Sequence, residues 1–421
     1  MTTINVKTYP NQPFVLPGII PLFVGEDSII GTWDFKLYKI NFKTGEFKYS
    51  NDIANILSGC VAGAYVQPSV VRGGNLALTV LYTKSAEAQG SRYLYARRFV
   101  INPTDLTVVR YGSEVQFSNN VIDLNVLQGP PPIELAPNTL LFGHNKKANF
   151  IVADFWTRSI YTMPEYAPTG YFMHPFGIVK DRTNNNLALL AGKHYWITGS
   201  YSYIYAINPR DWSQIAASTA YDSGNGGMLQ RSMYKDTADR VRMILFGGTG
   251  GYPYTSYTSK WNAIYVDNNS IVSEFTVTAG AAYGTFESGN RYPNVLGVTA
   301  NNTLLLGVFG RSMTSITEIG VSVMEVNDVL QNPTNMVEAK FPISTSEYSG
   351  YLEGWREFVL LESDWNFYVY GGIITYNNVP TLVLFQVTDY PNIVDPDPYG
   401  YHFIPRSGLR PTKLTLTVTP L

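Results

Sequence analysis

The chain has 421 residues, of which 45% are hydrophobic, 14% aromatic and only 15% charged, with a formal net charge of −2. A near-neutral chain without a long run of one sign lacks the electrostatic footprint of a nucleic-acid-binding protein and offers no polybasic membrane patch. No stretch approaches the roughly 18 apolar residues of a spanning helix, and the single cysteine, Cys60, excludes an intrachain disulfide and a metal site built on several thiolates.

Aromatic residues, 31 Tyr and 21 Phe, favour strands, where flat rings pack on a pleated surface. At the N-terminus, Thr3–Lys7 alternates polar and apolar residues as a half-buried strand should. Met1–Lys7 lacks the charged start and apolar stretch of a secretory signal, so a location at an outer surface implies another route there. A unit then recurs along the chain: an aromatic and β-branched strand, a tight polar turn and a second strand. It covers Leu37–Lys48, Phe99–Val108, Ile151–Tyr161, Ile204–Ser213, Ala263–Val272, Val323–Val329 and Leu382–Pro391.

The residue that closes the first strand of each unit is Asn41, Asn102, Asp154, Asn208, Asp267, Asn327 and Thr388 in turn, at steps of 61, 52, 54, 59, 60 and 61 residues. Asn and Asp suit this place because their side chains accept hydrogen bonds from backbone two residues on. Upstream of these units lie apolar strands that run into glycine: Leu140–Gly143, Leu189–Gly192, Ile244–Gly248, Leu304–Gly307 and Phe367–Gly372. A glycine there is expected to permit positive φ or close backbone approach as the strand exits into a loop. An inner strand before them, such as Glu357–Leu361, completes four strands per repeat. The expected fold is all-β: a seven-bladed β-propeller of four-stranded antiparallel blades, a single domain over residues 1–421. Lys413–Thr419 alternates like Thr3–Lys7, and the two are expected to pair and close the ring.

The pattern resembles the kelch class of propellers, in which a hydrophobic run ends in a glycine pair and is followed by a Tyr in the third strand and a Trp in the fourth. Gly247-Gly248 and Gly371-Gly372 match the pair, and Tyr205 with Trp212 match the aromatics. The resemblance implies a like architecture over nearly the whole chain and no particular chemistry.

Catalytic patterns are missing. There is no Gly-x-Ser-x-Gly elbow, no Ser-x-Asp-x-Gly-x-Thr-Trp turn of propeller sialidases, and Gly247–Tyr252 lacks the Lys-Ser/Thr end of a phosphate loop. The four histidines are His144, His174, His194 and His402. His144 and His194 read as loop residues at corresponding strand ends, short of the ligands a metal needs. Cys60 reads as inert core in a buried inner strand. Asp395, Asp397, Glu347, Glu353 and Glu357 read as solvated loop charges, as do the basic pairs Arg97-Arg98 and Lys146-Lys147 at strand ends or loops. No catalytic residue, metal or cofactor is therefore expected.

Two aromatic loops stand out instead. Tyr252, Tyr254 and Tyr257 fall in one, and Tyr348, Tyr351 and Trp355 in another; rings of this type bury large area at low entropic cost against a sugar face or a protein partner. The composition resembles that of viral structural proteins. The expected function is a non-enzymatic binding or assembly module, a virion component or surface protein that contacts protein or glycan partners through its blade loops. No nucleic acid and no membrane insertion are expected, and membership of a larger assembly is. The location is a virion or extracellular surface, otherwise the cytoplasm. The alternative is a carbohydrate-active enzyme, a hydrolase or lyase, with its site in the central pocket.

Overall fold

A computed structural model describes residues 1–71, 73–87, 93–121, 133–136, 139–143, 150–154, 158–162, 172–180, 188–196, 199–207, 214–217, 221–222, 233–235, 241–249, 258–267, 270–279, 286–287, 294–299, 301, 303–312, 317–327, 334–344, 358–361 and 363–395. Side chains are described chiefly within 1–117 and 296–393. Among these residues the chain is all-β apart from one short helix, Asp52–Ile56.

Antiparallel four-stranded meanders follow one another along the chain. The first is Ile20–Val24, Ser28–Trp33, Lys36–Asn41 and Phe47–Ser50; the second is Cys60–Val70, Leu76–Lys84, Tyr93–Ile101 and Val108–Tyr111. The third runs Ile133–Ala136, Thr139–Gly143, Phe150–Asp154 and Ser159–Thr162. Strand Val115–Val121 pairs with Tyr93–Ile101 and touches the third meander by one parallel pair, Ser118 with Ser159, so the second and third form one nine-stranded sheet. The fourth is Phe172–Lys180, Ala188–Trp196, Gly199–Ile207 and Gln214–Ala217, and the fifth is Met233–Lys235, Val241–Thr249, Thr258–Asp267 and Ser270–Ala279. The sixth comprises Asn294–Thr299, Thr303–Ser312, Glu318–Asn327 and Thr334–Pro342. In the last, Phe358–Leu360, Phe367–Tyr376 and Val379–Thr388 take their outer strand from the start of the chain, Thr3–Tyr9. Such a succession of short meanders is that of a β-propeller.

Every described anchor ends, or directly follows, the third strand of its meander; Asn208 lies outside the described residues. The reason is visible at two of them. Asn41 Oδ1 accepts the backbone N–H groups of Lys43 and Thr44, both at 2.9 Å, and Asn102 Oδ1 accepts that of Thr104 at 2.9 Å. Each side chain thus supplies acceptors that the turning backbone no longer provides. The seventh unit departs from the others, because the strand next to Val379–Thr388 on its outer side is Thr3–Tyr9 and not the one that follows Leu382–Pro391 in the chain. After it the chain reaches Ile393–Asp395, which pairs with the inner strand of the sixth meander, so Asp395 is a strand residue and no loop charge. The expected partner Lys413–Thr419 lies outside the described residues.

Gly143 ends its strand, Thr139–Gly143, as expected of a chain exit, but other second-strand glycines lie further in. Gly192, Gly307, Gly371 and Gly372 sit inside Ala188–Trp196, Thr303–Ser312 and Phe367–Tyr376. They serve packing: a Cβ on Gly307 would stand 2.6 Å from the Phe358 ring of the next sheet, and one on Gly371 would stand 2.8 Å from the Val383 carbonyl oxygen. Gly371 is the extra residue of a bulge, and Gly372 has φ of 122°, so both positions need glycine. Inner strands bulge too, at Leu22, Ala62, Leu135, Phe176 and Leu296. A bulge increases local twist, as strands converging on a common axis require.

The core lies between neighbouring sheets, face to face. Phe309, Val321, Phe358, Phe367 and Phe385 fill the space between the sixth and last sheets; Ile40, Phe42, Tyr368 and Leu384 fill that between the last and first; Tyr65, Leu78, Tyr82 and Phe99 lie in the cluster shared by the first and second. The contact over Gly307 is tight enough to test. Gly307→Ala should destabilise the protein by about 1–3 kcal/mol through overpacking, read from urea unfolding, and the loss should shrink in a Phe358→Leu background where the ring no longer covers that spot.

Candidate binding face

Within each antiparallel meander, the connections one-to-two and three-to-four fall at one end of the strands and the hairpin two-to-three at the other. At one side the turns of the first and last sheets meet: Lys43 Nζ lies 2.9 Å from Asp27 Oδ1, donates to Ser363 Oγ at 2.5 Å and stands 4.0 Å from Asp364 Oδ2. These residues belong to connections between strands one and two or three and four. The opposite side therefore gathers the hairpins between strands two and three and the connections from each meander to the next. There the Phe341 ring, at the end of the sixth sheet, lies 4.9 Å from that of Tyr376, on the last sheet's hairpin.

Side chains with chemistry concentrate on this face in the second sheet. Tyr82 and Lys84 end its second strand, Tyr95 and Arg97 lie in its third, and Glu114 follows in the irregular connector Gly112–Glu114. Lys84 Nζ donates to Glu114 Oε1 at 2.6 Å, Tyr82 Oη donates to Glu114 Oε2 at 2.7 Å, and Arg97 stands 4.0 Å from Oε2. The Lys84 ammonium also lies 4.1 Å above the centroid of the Tyr95 ring, which stacks on Tyr82 at 5.9 Å. Tyr95 Oη donates in turn to Glu87 Oε1 at 2.5 Å.

Burial pushes the Glu114 carboxyl up, but hydrogen bonds from Lys84 and Tyr82 and the charges of Lys84 and Arg97 outweigh it and hold the group below the usual carboxylate range. Burial and the donated bond to Glu114 push the Tyr82 phenol up, and burial and Glu87 do the same to Tyr95. Both phenols stay protonated donors at neutral pH. Cys60 opens the inner strand opposite Lys84 and, half-buried, packs against the core cluster of the first and second sheets; burial pushes its thiol up, which keeps it a thiol.

Exposed rings border the same side. Trp33 and Tyr376, 39% and 37% exposed, each close the second strand just before a two-residue turn, Asp34-Phe35 and Asn377-Asn378. All four turn residues have positive φ, the geometry of tight hairpins. Trp196 holds the equivalent register position in the fourth sheet, paired with Gly199.

The aromatic residues expected from the sequence, Tyr252, Tyr254, Tyr257, Tyr348, Tyr351 and Trp355, lie outside the described residues. The first three fall between Val241–Thr249 and Thr258–Asp267, strands two and three of the fifth sheet, and the others between the sixth and last sheets. His194 is a strand residue, paired with Met173 and Tyr201, and no loop histidine; His144 and His402 lie outside the described residues. Arg97-Arg98 is likewise mid-strand, and Arg97 is largely covered. Sequence reading missed Lys84 and Glu114 and took Arg97 for a solvated charge. The available signal was the alternation Tyr93, Tyr95, Arg97 beside Tyr82, Lys84, an unusual run of polar-tipped side chains on one face. Among the described residues no three metal-ligating side chains cluster, and no helix is long and apolar enough to cross a membrane.

No protein-family profile matches the sequence, and no curated protein is significantly similar to it. Solved structures of like shape include the β-propeller domain of Cps50 (Swd1) from Myceliophteria thermophila, 10% identical over 92% of this chain and 100% of that one, TM-score 0.44. A PL25 ulvanlyase, a polysaccharide lyase, is 9% identical over 90% of this chain and 95% of that one, TM-score 0.48. The Dos1 propeller is 7% identical over 90% and 95%, TM-score 0.40.

Glu114 gives the face a measurable pH signature. Its lowered folded-state pKa means that its contribution to stability is present above the unfolded value near 4.5 and is lost as pH falls through the folded one. Glu114→Gln should therefore lower the melting temperature at pH 7 and flatten its fall below about pH 4.5, in thermal scans across pH.

Proposed function

We propose that the chain is a seven-bladed propeller, one domain over residues 1–421, whose ring is closed by the N-terminal strand in the last blade, and that it works as a binding or assembly module. The meander order and the pairing of Thr3–Tyr9 with Val379–Thr388 support the ring. Counting the second and third meanders separately, despite the single parallel pair that joins them, supports seven blades. The glycine pair Gly371-Gly372, set where close approach and positive φ are required, supports the kelch-like reading.

The observation that carries the functional reading is the hairpin end of the sheets, where Trp33 and Tyr376 are exposed next to rigid two-residue turns in the first and last sheets and the Tyr82–Lys84–Arg97–Glu114 network stands in the second. Aromatic side chains fixed by tight turns lose little entropy on binding and suit a glycan face or a protein partner. A chain of such low charge, rich in tyrosine, fits a structural protein at a virion or extracellular surface, with the cytoplasm as the other location.

The test is binding of the full-length protein to arrayed glycans and to purified particle proteins from its native source. Trp33→Ala and Tyr376→Ala should each weaken the interaction at least tenfold, on the order of an interface hot spot, with melting temperatures within 2–3 °C of the wild type, roughly the span of a small surface change. Unaltered binding by both variants, or catalytic turnover of a polysaccharide, would sink the module reading.

A further inference from the structure

We propose that Tyr82, Lys84 and Arg97 form a carboxylate-binding cradle that Glu114 fills in the free protein and that the uronate group of an acidic saccharide takes over on binding. The inference rests on the reading of this face as a glycan-binding surface. Cradle and occupant differ in how they are held. The three donors stand on paired strands of the second sheet, in register Tyr82 with Tyr95 and Leu81 with Ala96. Glu114 comes from the three-residue connector Gly112–Glu114, which runs unpaired from Tyr111, paired with Phe99, to Val115, paired with Ala96, with Gly112 N–H donating to the Arg98 carbonyl at 2.9 Å. Turning the Glu114 side chain about its own χ angles leaves both of these ladder pairs in place.

Glu114 also fits the cradle incompletely. It accepts from Tyr82 and Lys84, but Arg97 stands 4.0 Å away, beyond hydrogen-bond reach, and the buried Arg97 Nε meets no hydrogen-bond partner among the described residues. A guanidinium presents its donors as a planar fork that matches a carboxylate with two parallel bonds. A tethered side chain entering from one edge meets only part of that donor set, whereas a free carboxylate can seat against the fork. With Glu114 displaced, Lys84 and Arg97 leave two positive charges facing one ligand charge.

The flanking surfaces select the ligand body. Tyr111, 55% exposed, lies beside Arg97 with its ring 5.6 Å from the guanidinium carbon, and Tyr93 is 38% exposed at the mouth of the same hairpin. Flat exposed rings around a carboxylate site suit a sugar ring that carries the acid group. Glu87 is held at the outer end of the Tyr95 ring, where it accepts from Tyr95 Oη and the Tyr93 backbone N–H.

The experiment titrates glucuronate, glucose and a glutamate-containing peptide into the full chain at low ionic strength by calorimetry. Glu114→Ala should bind glucuronate at least tenfold more tightly than the wild type, because the internal competitor is gone. Arg97→Lys added to that variant should reverse the gain, since it keeps the charge and loses the fork, and glucose should not bind. Glu114→Gln, which retains shape, serves if the alanine variant fails to fold, with a gain of at least threefold. Equal affinity of folded wild type and variants for glucuronate, equal binding of glucose, or binding of the peptide alone overturns the inference. Loss of glycan binding through Trp33 and Tyr376 is read separately on neutral glycans, so failure of the cradle and failure of the wider reading are distinguishable.

Discussion

An open β-sheet edge is a row of unpaired backbone donors and acceptors, and the arrangement of this protein turns on how one such edge is covered. Val379–Thr388 would be that edge. It is met by Thr3–Tyr9 in unbroken antiparallel register, Thr3 with Thr388 through Tyr9 with Leu382. Ile4 and Val6 lie against the cluster between the sixth and last sheets, and Tyr9 against that between the last and first. The strand is held at its end by the first sheet: Tyr9 Oη donates to the Lys43 carbonyl at 2.9 Å, and its ring lies so close to Gly45 that a Cβ there would be 2.2 Å away. Residues more than 370 apart in sequence thereby share one sheet, and the turns of Asp27, Lys43 and Ser363 hold the same seam from below.

The seam's ion pair contributes through geometry more than energy. Lys43 and Asp27 are over a third exposed, so solvent screens them, and such pairs are worth roughly 0–1 kcal/mol. The hydrogen bonds that extend inward matter more. Tyr368 Oη donates to Asp364 at 2.6 Å and accepts from the nearly buried Gln386 at 2.8 Å, so polar groups at the sheet interface are satisfied where they leave water. Tyr370 Oη donates to the Leu16 carbonyl at 2.6 Å and fixes the segment that leads from the first strand into the first sheet.

On the opposite face the same rigidity serves display. Tyr82 is fully buried up to a hydroxyl that reaches Glu114, and Lys84 lies along the Tyr95 ring, so charged and phenolic tips are presented by side chains whose stems are packed. Second-strand glycines let neighbouring sheets close on one another behind this face. Loops can then vary while the strands that carry the polar tips stay in place.

By itself the amino-acid sequence determined the all-β class, the position of the third strand in each repeat and the turns that follow. Those properties depend on neighbours a few residues apart, such as Asn41 beside Lys43 and Thr44. Only the tertiary structure decided which strand completes the last sheet, since Thr3–Lys7 alternates equally well against any free edge. It alone showed that Gly307 and Gly371 answer to a ring and a carbonyl from other strands, where local reasoning placed a chain exit. The cluster around Glu114 was hidden for the same reason: its other members lie 17 to 32 residues before Glu114 in the chain, and their convergence exists only once the strands of one sheet are in register.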